Sequence, residues 1–321
     1  MRGSRRQLLT AGFGLWAARG SLSRAQDRFP SKPIRIIVPL PAGGAVDVGT
    51  RILVEPLQAI LKQQIIVENK PGGVYAIGMQ AMAQAAPDGY TLHAINTSHV
   101  STQLVLKRYD MVKQLAPIST WSRVDTILTA SPQAPFGTVK EMIDWGRANP
   151  RKLNYGSIGP GTLEHLEMDE VMRRYGIEAT HVPFKGGPDA MATLIQGDIQ
   201  LFPAVIPLVN QFKGKVRTLA LLNNERSALA PEVPTIREVG LDVPAFQFWN
   251  GLAAPAGTPP EVIQTLERGI GQALAGDVTK SKLAGIGMIA SASTAAGFAK
   301  TIDDDFKWLG EAVRVADIKL N

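Results

Sequence analysis

A short β-branched run, a turn rich in glycine or proline, then a stretch of helical spacing: this unit recurs along the chain and leaves few folds open. Residues 32–39 are the first such run, bounded by Pro33 and Pro39. Residues 41–47 turn through Gly43 and Gly44, and apolar residues then recur at Val48, Ile52, Leu53, Leu57, Ile60 and Leu61. Pro56 inside that pattern is expected to kink the helix or end it early. Residues 64–68 form the next strand, and residues 69–73 turn the chain into a helical stretch through Ala86. Pro87-Asp88-Gly89 stops that helix before a third strand at 90–95. A β-α-β-α-β series predicts an open, mainly parallel sheet with helices on both faces.

The pattern then repeats. A strand at 124–130 leaves the first unit, and Thr138 with Glu141 three residues on predicts a capping box for a helix to Asn149. Strands follow at 152–155, 181–184, 199–202 and 217–222, with a glycine-rich turn at 156–161 and a helix from Thr162. Residues 248–254 read as a return strand, and the chain from Pro259 as mostly helical. The expected organisation is two α/β domains, the second inserted into the first: residues 26–123 with 248–321, and residues 124–247.

The formal charge of +6 does not mark a nucleic-acid partner. Arg2, Arg5, Arg6, Arg19 and Arg24 lie within the first 25 residues, which hold no acid; without them 29 basic residues face 28 acidic ones. That segment reads as an export signal. Ser4-Arg5-Arg6 precedes an apolar run from Leu8 to Ala18, too short to span a bilayer, and Ser23 and Ala25 place small residues for cleavage after Ala25. The absence of cysteine excludes disulfides, thiolate metal sites and a lipidated N-terminal Cys. The mature chain is therefore expected to be a periplasmic protein, monomeric, without cofactor or metal.

Two strand-to-helix turns, around Gly43-Gly44 and Gly159-Gly161, offer anion sites, because a helix start presents unpaired N–H groups and a positive dipole end. One such start contributes up to about 2 kcal/mol when partly buried. A micromolar ligand needs roughly 8 kcal/mol, so two turns that face each other across a closing cleft are required.

Beyond these generic features, residues 36–47 resemble the hallmark of the Bug receptor family, the substrate-binding proteins of tripartite tricarboxylate transporters. The similarity continues through residues 67–72, 85–92, 153–162 with His165-Leu166, 181–186, 226–235 and 252–259, in the family's order. The resemblance implies a two-domain periplasmic binding fold of the Venus-flytrap type that holds a carboxylate in its interdomain cleft. Its site would map to Pro41, Ala42, Gly43, Gly44 and Asp47 on one side, with Ser157, Gly159, Gly161 and Thr162 on the other. Membrane subunits of a transporter, or a sensor kinase, would be the protein partner.

Departures from the family pattern shape the expected ligand. Val74-Tyr75 replaces further glycines, Pro160 has no N–H to give, and Glu164 in the first helical turn is expected to act as a helix-start acid. Where relatives often carry an Asp before the position of Pro207, this chain has residues 202–205 without an acid, which disfavours an amino-acid ligand. Tyr75, His99 and Phe202 are the expected wall of a pocket for a larger carboxylate. His93, His99, His165 and His181 lack metal-ligand spacing, and Asp303-Asp304-Asp305 reads as a solvated helix face. A hydrolase built from Ser157, His165 and Asp47 is the rival reading, but the stretch lacks the G-x-S-x-G turn and His165 is expected to face away from the helix start.

Overall fold

The structure, a computed structural model, describes residues 29–245 and 248–316; the export segment proposed at residues 1–25 lies outside them. The chain opens with β1 (Ile34–Val38), α1 (Ala45–Leu61), β2 (Ile65–Asn69), α2 (Ala76–Ala83), β3 (Thr91–Asn96), α3 (Thr97–Leu106), α4 (Met111–Gln114) and β4 (Leu115–Val124). It then builds β5 (Thr126–Ala130), α5 (Val139–Ala148), β6 (Leu153–Ser157), α6 (Leu163–Tyr175), β7 (Ala179–Pro183), α7 (Gly187–Gln196), β8 (Leu201–Val205), α8 (Ile206–Gln211) and β9 (Arg217–Leu221). It closes with β10 (Phe248–Pro255), α9 (Pro260–Ala275), α10 (Asp277–Gly285), β11 (Met288–Ala290) and α11 (Ala295–Ala316).

Two sheets result. One has six strands in the order β11-β4-β10-β3-β1-β2, the other five in the order β7-β6-β8-β5-β9. Both are mixed rather than mainly parallel. The βα units supply the parallel pairs β1–β2, β1–β3, β6–β7 and β6–β8, whereas β10 returns antiparallel between β3 and β4. In the second sheet β5 runs antiparallel to both β8 and β9. The run expected as one strand over 124–130 is broken at Asp125, where the chain passes from one sheet to the other.

Local chemistry accounts for most boundaries. Helix α1 continues through Pro56 to Leu61, so the proline does not end it; the buried face of Leu53, Val54 and Leu57 holds that turn against the sheet. Thr138 caps α5 by accepting from Glu141 N–H, but Glu141 reaches past the cap residue to Gly137 N–H at 2.7 Å. The second sheet is covered on both faces, as the pleat dictates: Leu128 and Leu201 enter one core while Ile127 and Phe202 enter the other.

Helix α6 divides its loyalty. Leu163 and Leu166 belong to the core of the first sheet, and Met168, Val171 and Met172 to a core of the second. Its start also bonds across the sheets, with Leu163 N–H donating to Ser98 Oγ of α3 at 3.0 Å. Among the described residues no helix is long and apolar enough to cross a membrane, and no group of three or more His, Asp or Glu could hold a metal ion.

Candidate functional site

At the C-terminal end of β1 the chain turns into α1 with Gly43 at φ 80°, a conformation that costs a residue bearing a Cβ about 1–2 kcal/mol. Gly44 is the N-cap, and no side chain occupies the cap position. The turn is held from behind by Asp47. Its carboxylate accepts from Gly43 N–H at 2.9 Å, Asn69 Nδ2 at 3.0 Å and Arg51 Nε at 3.0 Å. Burial by itself would raise this carboxyl, but the bonds from Arg51, Gly43 and Asn69 outweigh it and hold the group below its ordinary value.

Facing this turn from the second sheet is the start of α7. Gly186 is its N-cap, Gly187 its first residue and Pro188 its second, where a missing N–H forfeits no helical bond. A Cβ on Gly186 would lie 3.2 Å from Pro41 Cγ, so the two turns touch. Between them is a cavity of about 60 Å³, space for about four to six waters. Pro41, Gly44 and Ala45 line it on one side, and Gly186, Gly187 and Pro188 on the other. The walls are apolar: Val124, Phe202, Val205, Leu208, Phe248 and Met288. Among the described residues three polar side chains reach it, Asn96 at the end of β3, Asn250 on β10 and Glu164 on α6.

The residues expected from the sequence divide between the cavity and its supports. Pro41, Gly44 and Phe202 line it. Ala42 and Gly43 are on the exposed outside of the same turn, and Asp47 is the brace beneath it. Tyr75 and His99 are fully packed, stacked at a centroid distance of 4.1 Å, and His99 serves the start of α3, its Nδ1 accepting from Asn96 N–H at 3.2 Å. Neither lines the cavity.

The second turn lies elsewhere than in the cavity. Gly159 abuts Val74 and Gly161 abuts Val105, both on the first sheet's side. Thr162 Oγ1 donates to Gly159 O at 2.9 Å. Ser157 Oγ is 2.9 Å from Gly159 O and 2.6 Å from His181 Nε2. These groups knit the turn and press it against the other sheet. Only Ile158 and Glu164 from this neighbourhood reach the cavity. The hydrolase arrangement is likewise dispersed. Ser157 pairs with His181, His165 Nδ1 accepts from Gly161 N–H, and Asp47 is committed to Arg51 within α1. Burial holds His165 at about 3 and His181 at about 4, so both are neutral at neutral pH.

Sequence reasoning passed over Asn96, Asn250 and the Gly186-Gly187 turn. For the last a signal existed, since Gly-Gly-Pro after a strand is a helix-start pattern. Glu164, expected as a helix-start acid, is buried at 5% exposure, and burial pushes its carboxyl up to about 7.

Against known proteins, residues 50–317 match the family described as tripartite tricarboxylate transporter family receptor. The chain belongs to that family. The receptor is 31% identical over 325 residues to Protein BugT of Bordetella pertussis, covering 97% of this chain and 98% of that one. Among solved structures it is similar to a periplasmic transporter at 32% identity and a TM-score of 0.86, covering 91% and 100% of the two chains. It is similar also to R. palustris Rpa4515, solved with adipate, at 25% identity and a TM-score of 0.86, covering 90% and 99%. The receptor thus has the fold of two-domain periplasmic binding proteins, and its family consists of solute receptors.

Proposed function

We propose that the receptor is exported, cleaved after Ala25, and captures a small carboxylate between the starts of α1 and α7 without chemical change, as a monomer serving a tripartite transporter. The observation that carries this reading is the meeting of two glycine-started helices, one from each sheet, at a single apolar-walled cavity. First-turn N–H groups have no acceptor within their own helix, and a carboxylate satisfies them. Because each start contributes at most about 2 kcal/mol, the ligand gains from both sides only when they approach. Ligand contact with both sheets adds to the hold that α6 already provides across the seam. The Ser157–Thr162 turn then acts as the bearing surface between the lobes, and the bound adipate of Rpa4515 fits the same ligand class.

The test is a thermal-shift and calorimetric screen of mature receptor against small organic acids, with mass spectrometry of the recovered ligand. At least one acid should raise the melting temperature and be recovered unaltered. Gly186→Val, whose extended backbone tolerates a side chain but whose Cβ would press on Pro41, should weaken that acid at least tenfold with little change in unliganded melting temperature. Undiminished affinity in Gly186→Val would place the ligand elsewhere, and a ligand recovered in altered form would make the protein an enzyme.

A further inference from the structure

The polar groups that reach the cavity are unevenly supplied. Glu164 is buried, and its Oε2 finds no hydrogen-bond partner among the described residues. Asn250, fully buried on β10, gives its Nδ2 to Ser122 Oγ at 3.0 Å and leaves Oδ1 without a partner among them. Both orphans are acceptors whenever Glu164 is ionised. Donors for the ligand come from the helix starts at Gly44 and Gly186, and no Lys or Arg side chain lines the cavity among the described residues.

With Glu164 ionised, a ligand that is only a carboxylate would satisfy the helix starts and leave both acceptors orphaned. A dicarboxylate would also set a second negative charge near a buried one. A protonated amine removes both difficulties, because it donates to Glu164 Oε2 and Asn250 Oδ1 and neutralises the buried carboxylate. The strand ending before Pro207 holds no acid; the counter-charge comes from α6 instead. The rest of the wall is apolar, formed by Val124, Phe202, Val205, Leu208, Phe248 and Met288. We infer that the receptor takes a zwitterion with an apolar body, its carboxylate on the starts of α1 and α7 and its ammonium on Glu164 and Asn250. This rests on the cavity being the carboxylate site.

Matched probes separate the possibilities: 6-aminohexanoate, L-norleucine, hexanoate and adipate, titrated calorimetrically into mature receptor and into Glu164→Gln. At least one of the two amino acids should bind ten-fold or more tightly than both hexanoate and adipate. Glu164→Gln should abolish that preference, so that within the variant the amino acids bind no more than about threefold more tightly than hexanoate. A melting temperature for Glu164→Gln no lower than that of the parent would show that the variant folds, and Glu164→Ala serves as the second variant. Hexanoate or adipate binding as well as, or better than, both amino acids overturns the inference and leaves carboxylate capture standing. Retention of the amine preference in both Glu164 variants overturns it equally. Binding of none of the four probes, while another amine-free acid binds in the wider screen, would also overturn it. If no acid of any kind binds, the carboxylate reading fails first.

Discussion

Glu167 lies one turn along α6 from Glu164 and is buried, with both carboxyl oxygens lacking a partner among the described residues. Burial first, and the nearby Glu164 second, hold it well above the ordinary carboxylate range. The folded state therefore binds this proton more tightly than the unfolded chain, in which the group titrates near 4.5. Stability is fullest below that value and is lost as pH rises through the folded value. Glu167→Met should stabilise the receptor by roughly 1–4 kcal/mol at pH 8 and by far less at pH 4. Thermal or urea melts at the two pH values check this; equal gains at both would mean the carboxyl is not protonated in the fold. Asp47 illustrates the opposite sign. Its bonded carboxylate is held low, so its contribution is present at neutral pH and disappears in acid.

Helix starts are where sequence and structure part company. The strand-turn-helix order of both units was readable because β-branched runs and helical spacing are local properties, and the turn at Gly43-Gly44 was readable for the same reason. The direction a helix start faces is not local. Gly159 and Gly161 carry the same glycine signal as Gly43 and Gly44, yet their turn packs on Val74 and Val105, while the plainer Gly186-Gly187 turn reaches the cavity. Nor could spacing reveal that Glu164 points inward, since an acid in a first turn is ordinarily a solvated partner of the dipole. The break at Asp125 was hidden because residues 124–130 form one unbroken strand-like run, and the crossing between sheets is set by the partners, β10 and β8. One prediction belongs to this scale. Gly161 has φ 77°, and a Cβ there would lie 2.8 Å from Val105 Cβ. Gly161→Ala should therefore cost about 2–4 kcal/mol from backbone strain and overpacking together, measured by urea unfolding. A loss below about 0.5 kcal/mol would mean that this turn does not bear on α3.

At the scale of the whole molecule, two sheets are joined by a crossing at Asp125 and a return before β10, and α6 spans the seam between their cores. Separating the lobes would draw Leu163 and Leu166 out of the first core, at about 1.5–3 kcal/mol for each side chain fully exposed. It would also break the bond from Leu163 N–H to Ser98 Oγ. Solution scattering of ligand-free receptor should therefore give a radius of gyration close to that of the present arrangement, with only a small contraction on loading. A large ligand-free expansion would show that the seam opens freely. If scattering bears this out, a clasp fastened partly by its own helix keeps nearly the same outline empty or full, and a guest held between α1 and α7 would have to be recognised from the rim of the cavity rather than from the silhouette.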